Sequence, residues 1–598
     1  MKRLTCDIDT CLACRSCELA CAVEHSSSRT LVGAIVERPL PIGRVRVLAA
    51  LGEASGAPAA RGVALRCRQC VEPECVYACK SGALSRDPVS GAVRCDADRC
   101  VGCWMCVMVC PLGSLRPTAG AVAAKCDLCA ERDEPACVSA CPTGALRWEE
   151  AAEPAPPEIP DEHRGRTHVV IGASAAGVAA AEAILEADET ARVKVLSEER
   201  EPLYSRPMLY LDLTEERADV RFRAEASWGS GRIETLFGRR VESVDVAGRR
   251  VRLADGEGVD FDRLLLATGG VARWPKIEGI EKRGVIGFRT LADLQSLERR
   301  AAEVKGAVVL GGGNVGLQAA CGLRARGLEV TVVVRSPHLL SQLADEEAGR
   351  MFEARFEAHG VAVRTGTDVV EILGRDEVEA VRLDTGETLR CGLVVPAKGV
   401  DPNLSVIEGT GIAVDWGVRV DERMETSVPG VFAAGDVVES PDLVTGEREV
   451  HGIWPCAFEQ GRVAGRNMAG VRCEYAGAMR MNAAEFYGLK LISLGIVKPR
   501  DEGLREIARR DGPEVYRKLV FRGGILLGAL LVGEIWDAGI LRMLMKKRID
   551  LTSYEENLLA GADPAWLFPA LGDHPSLADV LEGVTSGVSP GGRLRTTA

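Results

Sequence analysis

The chain has 598 residues, which at about 100–200 residues per domain leaves room for three or four domains and argues against a single core. Its 86 acidic and 74 basic residues give a formal charge of -12, and no Lys/Arg block or basic–aromatic stripe marks a nucleic-acid groove. Apolar runs such as 524–536 are broken by Gly and Glu well short of the roughly 20 residues of a membrane span, and the start MKRLTCDIDTC has no apolar signal region, so a soluble cytoplasmic protein is expected.

Eighteen of the 22 cysteines lie between Cys6 and Cys141. Clustered cysteines in a cytosolic chain point to metal, whereas disulfide frameworks belong to small secreted domains. Four groups can be read in a first domain over 1–148. They are Cys11, Cys14, Cys17 and Cys21; Cys67, Cys70, Cys75 and Cys79; Cys100, Cys103, Cys106 and Cys110; and Cys126, Cys129, Cys137 and Cys141. Groups one and three have C-x2-C-x2-C-x3-C spacing, in which three close thiolates wrap one face of a cubane and the fourth serves another cluster. A tetrahedral zinc site uses two CxxC pairs, so this run would leave ligands over. Cys6 and Cys95 fall outside the spacing and read as small buried residues. Residues 48–62 read as a flexible loop.

The runs CLACRSCELACAVEHS, CRQCVEPECVYACKSGAL and CVGCWMCVMVCP, with the fourth group, resemble the four-cluster ferredoxin-type subunits of anaerobic redox complexes over residues 4–147. The nearest likeness is to the iron–sulfur subunit that serves carbon monoxide dehydrogenase; the dimethyl sulfoxide reductase electron-transfer subunit is more distant. The resemblance implies four 4Fe-4S clusters, with group one paired to four and group two to three. The sets would be Cys11, Cys14, Cys17 and Cys141; Cys21, Cys126, Cys129 and Cys137; Cys67, Cys70, Cys75 and Cys110; and Cys79, Cys100, Cys103 and Cys106.

Residues 149–166, rich in Pro, Ala and charge, read as a linker. Beyond it, short Val/Ile/Leu runs each lead through Gly into an Ala-rich helical stretch, at 168–197 and again at 306–335. In HVVIGASAAGVAAAEAIL, Gly172, Ser174 and Gly177 fill the three positions of a dinucleotide fingerprint, and Glu198 follows the next strand where a carboxylate meets a ribose. In AVVLGGGNVGLQAACGL, Gly311, Gly313 and Gly316 complete a second fingerprint. The ribose-selecting position there is Val334 followed by Arg335, which favours NADPH over NADH. LLLATGG (264–270) and TSVPGVFAAGD (426–436) complete the order FAD turn, ATG, second fingerprint, GD.

That order resembles the pyridine-nucleotide disulfide oxidoreductase superfamily over about 168–560, closest to its NADH oxidase, rubredoxin reductase and nitrite reductase flavin-domain branch. The resemblance implies that Asp436, beside Gly435, bonds the FAD ribityl chain, that Thr268 and Gly269 lie near the flavin, and that Arg206 in PLYSRPML belongs to the cofactor site. It implies an FAD-binding domain over 167–300 and 401–470, an NAD(P)-binding domain over 301–400, a C-terminal interface domain over 471–565 and a tail over 566–598. Thiol-dependent members need a cysteine beside the flavin; EPLYSRPMLYLDLTEE has none, and Cys456 reads as packing.

The expected fold is multidomain, with an α+β ferredoxin-like module, an α/β two-dinucleotide (Rossmann-like) flavoprotein and a small α+β C-terminal domain. The expected function is anaerobic electron transfer between NAD(P)H and a low-potential one-electron partner, through FAD and four clusters. No catalytic acid, base or nucleophile is required. The expected partner is a large oxidoreductase, carbon monoxide dehydrogenase or a tungsten or molybdenum enzyme, in a homodimer or hetero-oligomer. The alternative is a free-standing NAD(P)H:ferredoxin or NAD(P)H:rubredoxin oxidoreductase.

Overall fold

Strands of three to six residues, the central ones buried on both faces, form two parallel sheets that follow one plan. A computed structural model describes residues 2–7, 10–50, 61–87, 90–150, 159–214, 219–223, 228, 231–563 and 567. Residues 51–60 of the expected loop, 151–158 of the expected linker and, Leu567 apart, the tail lie outside the described residues. The chain forms two compact units, one of residues 1–155, 501–509 and 517–598, the other of residues 156–500 and 510–516. The stretch 471–565, expected as one domain, is shared between them.

In the second unit the first sheet has the order Ile233–Phe237, Arg192–Ser197, Thr167–Ile171, Arg263–Leu266, Val431–Ala433, all parallel. The second has the order Val361–Thr365, Glu329–Val334, Gly306–Leu310, Leu393–Pro396, also parallel. Each carries a three-stranded antiparallel meander, Val241–Asp260 in one and Val369–Arg390 in the other. Parallel strands flanked by helices are buried on both faces, which is why VVI, VVL and TVVV run without polar alternation. Helix Ala175–Ala187 is almost all Ala on its inner face, and helix Trp454–Met468 approaches it so closely that a Cβ on Gly461 or Gly465 would run into the carbonyls of Ala176 and Ala180.

The first unit contains a duplication. Strand Lys2–Cys6 pairs antiparallel with Leu146–Glu150, joining group one to group four; strand Val93–Cys95 pairs antiparallel with Leu84–Arg86, joining group three to group two. Helices Ser16–Glu24 and Ala136–Ser139 pack in one half, Glu74–Tyr77 and Met105–Val109 in the other. From the far end of the sequence, helix Ala538–Lys547 lies on Met105–Val109, where Arg542 pairs with Glu74 at 2.7 Å and Gly539 meets the backbone of Cys110. Among the described residues no helix is long and apolar enough to cross a membrane.

Candidate thiol and dinucleotide sites

The cysteine loops are held in a costly backbone form. Ala13 and Arg15 in group one and Gly102 and Trp104 in group three are left-handed at matching positions, as are Gln69 in group two and Leu128 in group four. Non-glycine residues in this region cost about 1–3 kcal/mol each and persist where the surroundings demand a tight wrap. The wrap turns successive thiols inward. Cys11, Cys14, Cys17 and Cys141 line one cavity. Cys137 lies among Cys21, Cys126 and Cys129; Cys75 among Cys67, Cys70 and Cys110; Cys106 among Cys79, Cys100 and Cys103.

These sets adjoin in series. Cys17 of the first neighbours Cys137 of the second, Cys126 of the second neighbours Cys67 of the third, and Cys75 of the third neighbours Cys106 of the fourth. At the middle junction Lys125, 2% exposed, donates to the carbonyls of Val93 and Cys126 at 2.9 and 2.8 Å. Burial, and then the Glu18 carboxylate, push the Cys17 thiol up to about 12, while burial and then the neighbouring thiols push Cys126 up to about 12 and Cys106 well above the ordinary thiol range. Four such groups cannot ionise together without a cation to accept them, so the donor set fits a cationic iron–sulfur core whose binding releases protons. Backbone amides are already aimed at the sulfurs, from Leu84 to Cys79 at 3.2 Å, Leu146 to Cys141 at 3.5 Å, Arg44 to Cys21 at 3.2 Å and Ser114 to Cys110 at 3.4 Å. Beside the second set, His25 holds Asp127 at 3.1 Å; burial opposes its charge, but Asp127 and Cys21 outweigh it and raise the imidazole to about 9.

Both dinucleotide turns close in the same way. Gly172 and Gly311 have φ of 111° and 127°, and a Cβ there would run into the carbonyls of Ala267 and Ala397, each one residue past a neighbouring strand. A Cβ on Gly177 or Gly316 would run into Gly172 or Gly311. Ser174 and Gly313 are the N-caps of the helices that follow, and neither helix has a side chain capping its first amides. Those amides are free to meet a pyrophosphate, so both turns fit the group. Glu198 is exposed, one residue past the strand Arg192–Ser197. Its neighbour Glu199 is engaged, pairing with Arg206 and accepting from the Tyr204 hydroxyl at 2.6 Å.

Arg206 also donates to Tyr204 at 3.0 Å and to the carbonyl of Arg289 at 3.1 Å. Arg289 in turn lies 3.5 Å from Asp436 and beside Gly269, while Thr268 donates to the carbonyl of Asn403 at 2.7 Å and Gly435 donates to Gln460 at 2.8 Å. Arg206, Gly269 and Asp436 thus meet at Arg289, a residue the sequence reading did not single out, with Thr268 and Gly435 next to Gly269 and Asp436 in the chain. Cys456 is 1% exposed, in the core. In the second fold Val334 ends its strand buried and Arg335 is exposed. Lys498 reaches the same loop, contacting His338 at 3.1 Å and the carbonyl of Ser341, while Ser341 donates to Ser336 at 2.9 Å.

The pyridine nucleotide-disulphide oxidoreductase family model matches residues 166–461, a 4Fe-4S dicluster domain matches 61–151, and the rubredoxin NAD+ reductase C-terminal domain matches 481–549. The epsilon subunit of an NADH-dependent phenylglyoxylate dehydrogenase from Aromatoleum evansii is 32% identical over 66% of this chain and 94% of its own. An NAD(P)H nitrite reductase from Bacillus subtilis is 29% identical over 64% of this chain and 48% of its own, so the chain spans about half the length of that relative. A ferredoxin reductase from Rhodopseudomonas palustris superposes with a TM-score of 0.60 at 27% identity, over 65% of this chain and 96% of that one.

Proposed function

Because the chain belongs to the pyridine nucleotide-disulphide oxidoreductase family, we propose that this FAD-dependent NAD(P)H oxidoreductase is the electron-transfer subunit of a larger anaerobic oxidoreductase. It exchanges electrons between NADPH and a low-potential one-electron partner through four 4Fe-4S clusters. The observation that carries this reading is a series of four adjoining thiol sets in a chain whose segment 201–216 holds no cysteine to receive electrons from a flavin. The partner class, a metal-dependent enzyme such as carbon monoxide dehydrogenase or a tungsten or molybdenum enzyme, follows the likeness of the first 147 residues.

FAD, when bound, converts between the hydride pair of a nicotinamide and the single electrons of clusters. The chain's own residues position the reactants. Gly172, Ser174 and Gly177 let the FAD pyrophosphate reach one helix N-terminus, and Gly311, Gly313 and Gly316 do so for the nicotinamide nucleotide. Arg206 and Arg289 hold positive charge beside Asp436. No side chain has to donate or accept a proton for hydride transfer. With Val334 in place of an acid, Arg335 exposed and Lys498 nearby, the loop after the strand suits a 2′-phosphate.

The test is anaerobic reduction of the cluster-reconstituted protein by NADH and by NADPH, with the flavin followed optically and the clusters by low-temperature EPR. NADPH should bleach the flavin and bring up reduced-cluster signals. Bleaching without any cluster signal would refute transfer within the chain. Arg335→Ala should raise the KM for NADPH about 10-fold, ~1.4 kcal/mol, and leave that for NADH in place. A second reading, a free-standing ferredoxin or rubredoxin reductase, is favoured by the match over 481–549; isolation of the native protein without a bound metalloenzyme would select it.

A further inference from the structure

Exposed apolar side chains are unevenly placed along the chain. Of the thirteen large ones open to water among the described residues, seven lie between Leu12 and Leu40. Leu12, Leu19, Val32, Ile35, Val36 and Leu40 each expose more than half of their surface, Val32 as much as 78%. The element that carries most of them is firmly built. Helix Leu31–Val36, LVGAIV, is capped by the Thr30 hydroxyl, which accepts from the Gly33 amide at 3.2 Å, and Glu37 at its far end accepts from the amides of Ser27 and Ser28 at 3.2 and 2.9 Å. Of its six residues only Ala34 is buried. It packs on helix Ser16–Glu24, which carries Leu19 between Cys17 and Cys21. Single apolar residues scattered over a surface are ordinary, but a concentration of them on an anchored element marks an interaction site.

The patch begins at one end of the thiol series. Leu12 and Arg15 line the cavity of Cys11, Cys14, Cys17 and Cys141. Cys14 is exposed, whereas at the other end none of Cys79, Cys100, Cys103 and Cys106 is. The first set is therefore the end that opens to the surface. The edge of the patch is basic. Arg38 is exposed and donates to the carbonyls of Ile35 and Glu37 at 3.1 and 2.8 Å, with no carboxylate partner among the described residues, and Arg15 has Glu18 no nearer than 4.0 Å. The acids close by are engaged, Glu37 with the two Ser amides and Glu131 with Arg29 at 2.8 Å.

We propose that this face, from Leu12 to Leu40, is where the partner oxidoreductase binds, through an iron–sulfur-bearing subunit that is apolar at the centre of its contact and acidic at the rim. The inference rests on the electron-transfer-subunit reading above and adds the place of contact. Electrons pass singly between that subunit and the Cys11, Cys14, Cys17 and Cys141 set; NADPH is their source, and no bond is made or broken at the contact. An apolar centre with a charged rim is the build of lasting interfaces, whereas brief redox encounters are small. A second copy of this chain fits poorly, because it would set arginines against arginines with the acids close by already engaged.

The experiment compares the complex isolated from its native source with the free recombinant chain by hydrogen exchange, and adds two variants. In the wild-type complex the amides of residues 31–37 should exchange about tenfold more slowly than in the free chain. Val32→Asp combined with Ile35→Asp should weaken the complex about 100-fold, while iron content and NADPH-driven reduction of a viologen dye stay at wild-type values. Arg38→Lys, treated with a zero-length carbodiimide, should become joined to a carboxylate of a partner subunit that has cluster-type cysteine spacing. Unchanged exchange over 31–37 in an intact complex would overturn the inference, as would joining of Arg38→Lys to a second copy of this chain or to a subunit without such cysteines. Should the double variant lose iron, the exchange comparison on the wild type decides the matter alone. A wild type isolated from its source with no partner would instead remove the subunit reading, and the contact with it.

Discussion

Gly313→Val should raise the KM for the nicotinamide nucleotide by about 100-fold, ~2.8 kcal/mol at 1.4 kcal/mol per tenfold, while FAD content and thermal stability stay at wild-type values. The three glycines of the second turn differ in what they tolerate. A Cβ on Gly311 or Gly316 collides with backbone inside the fold, so substitution there would damage the domain itself. Gly313 has extended backbone, φ −84° and ψ 177°, and a Cβ would find no atom of the described protein within 4 Å. The open space lies at the N-terminus of helix Asn314–Ala325, where a pyrophosphate would have to sit. Valine fills it without straining the chain. The FAD turn carries Ser174 at the equivalent position, so a small polar group is compatible with such a turn and a branched apolar one makes the sharper probe. Steady-state reduction of an artificial acceptor, with the flavin spectrum as control, reads the effect. An unchanged KM would remove the second turn from the nucleotide site.

The larger structural effect is expected from Gly539→Val. A Cβ at 539 would run into the carbonyl of Cys110 and stand 2.7 Å from that of Val107, and both obstacles are backbone, so no rotamer change relieves them. Overpacking of this kind costs about 1–3 kcal/mol and sometimes more. The helix is tied down nearby by Arg542, through Glu74 at 2.7 Å and the carbonyl of Val109 at 3.4 Å, so the strain should fall on the Cys110 loop. Iron per chain should drop by about a quarter, one cluster of four, with the EPR signal of the Cys67, Cys70, Cys75 and Cys110 set lost and flavin content kept. A full iron complement with every cluster signal intact would show that the helix can move off Cys110 at no cost.

The sixteen thiols could be found in the sequence because ligand spacing is local, and the two turns because Gly-rich fingerprints are local too. What joins them is not. The series from Cys17 through Cys137, Cys126, Cys67 and Cys75 to Cys106 comes from side chains meeting across loops, and no spacing rule orders it. Lys498 and Ser341 are 157 residues apart in sequence, so the cation that reaches the loop after Arg335 was invisible there. Arg289, where Arg206, Gly269 and Asp436 meet, sits in FRTLADL, which carries no fingerprint. Glu198 and Glu199 show the limit at a strand end, where one residue of register decides which carboxylate is exposed and which is paired with Arg206. Cys6 and Cys95 did leave a trace of the duplication, the repeated five-residue offset before groups one and three, which becomes meaningful once the matching strand pairs are seen.

Arg542 closes over a carbonyl that precedes it by 433 residues. On the ribosome, at ~5–20 residues per second, roughly 20–90 s would pass between the emergence of Cys110 and that of the helix that seals it. Throughout that interval the nascent chain presents bare thiols, accessible to cluster-assembly factors and to oxygen alike. Translation speed through the flavoprotein segment therefore sets how long the iron has to arrive before that helix comes down.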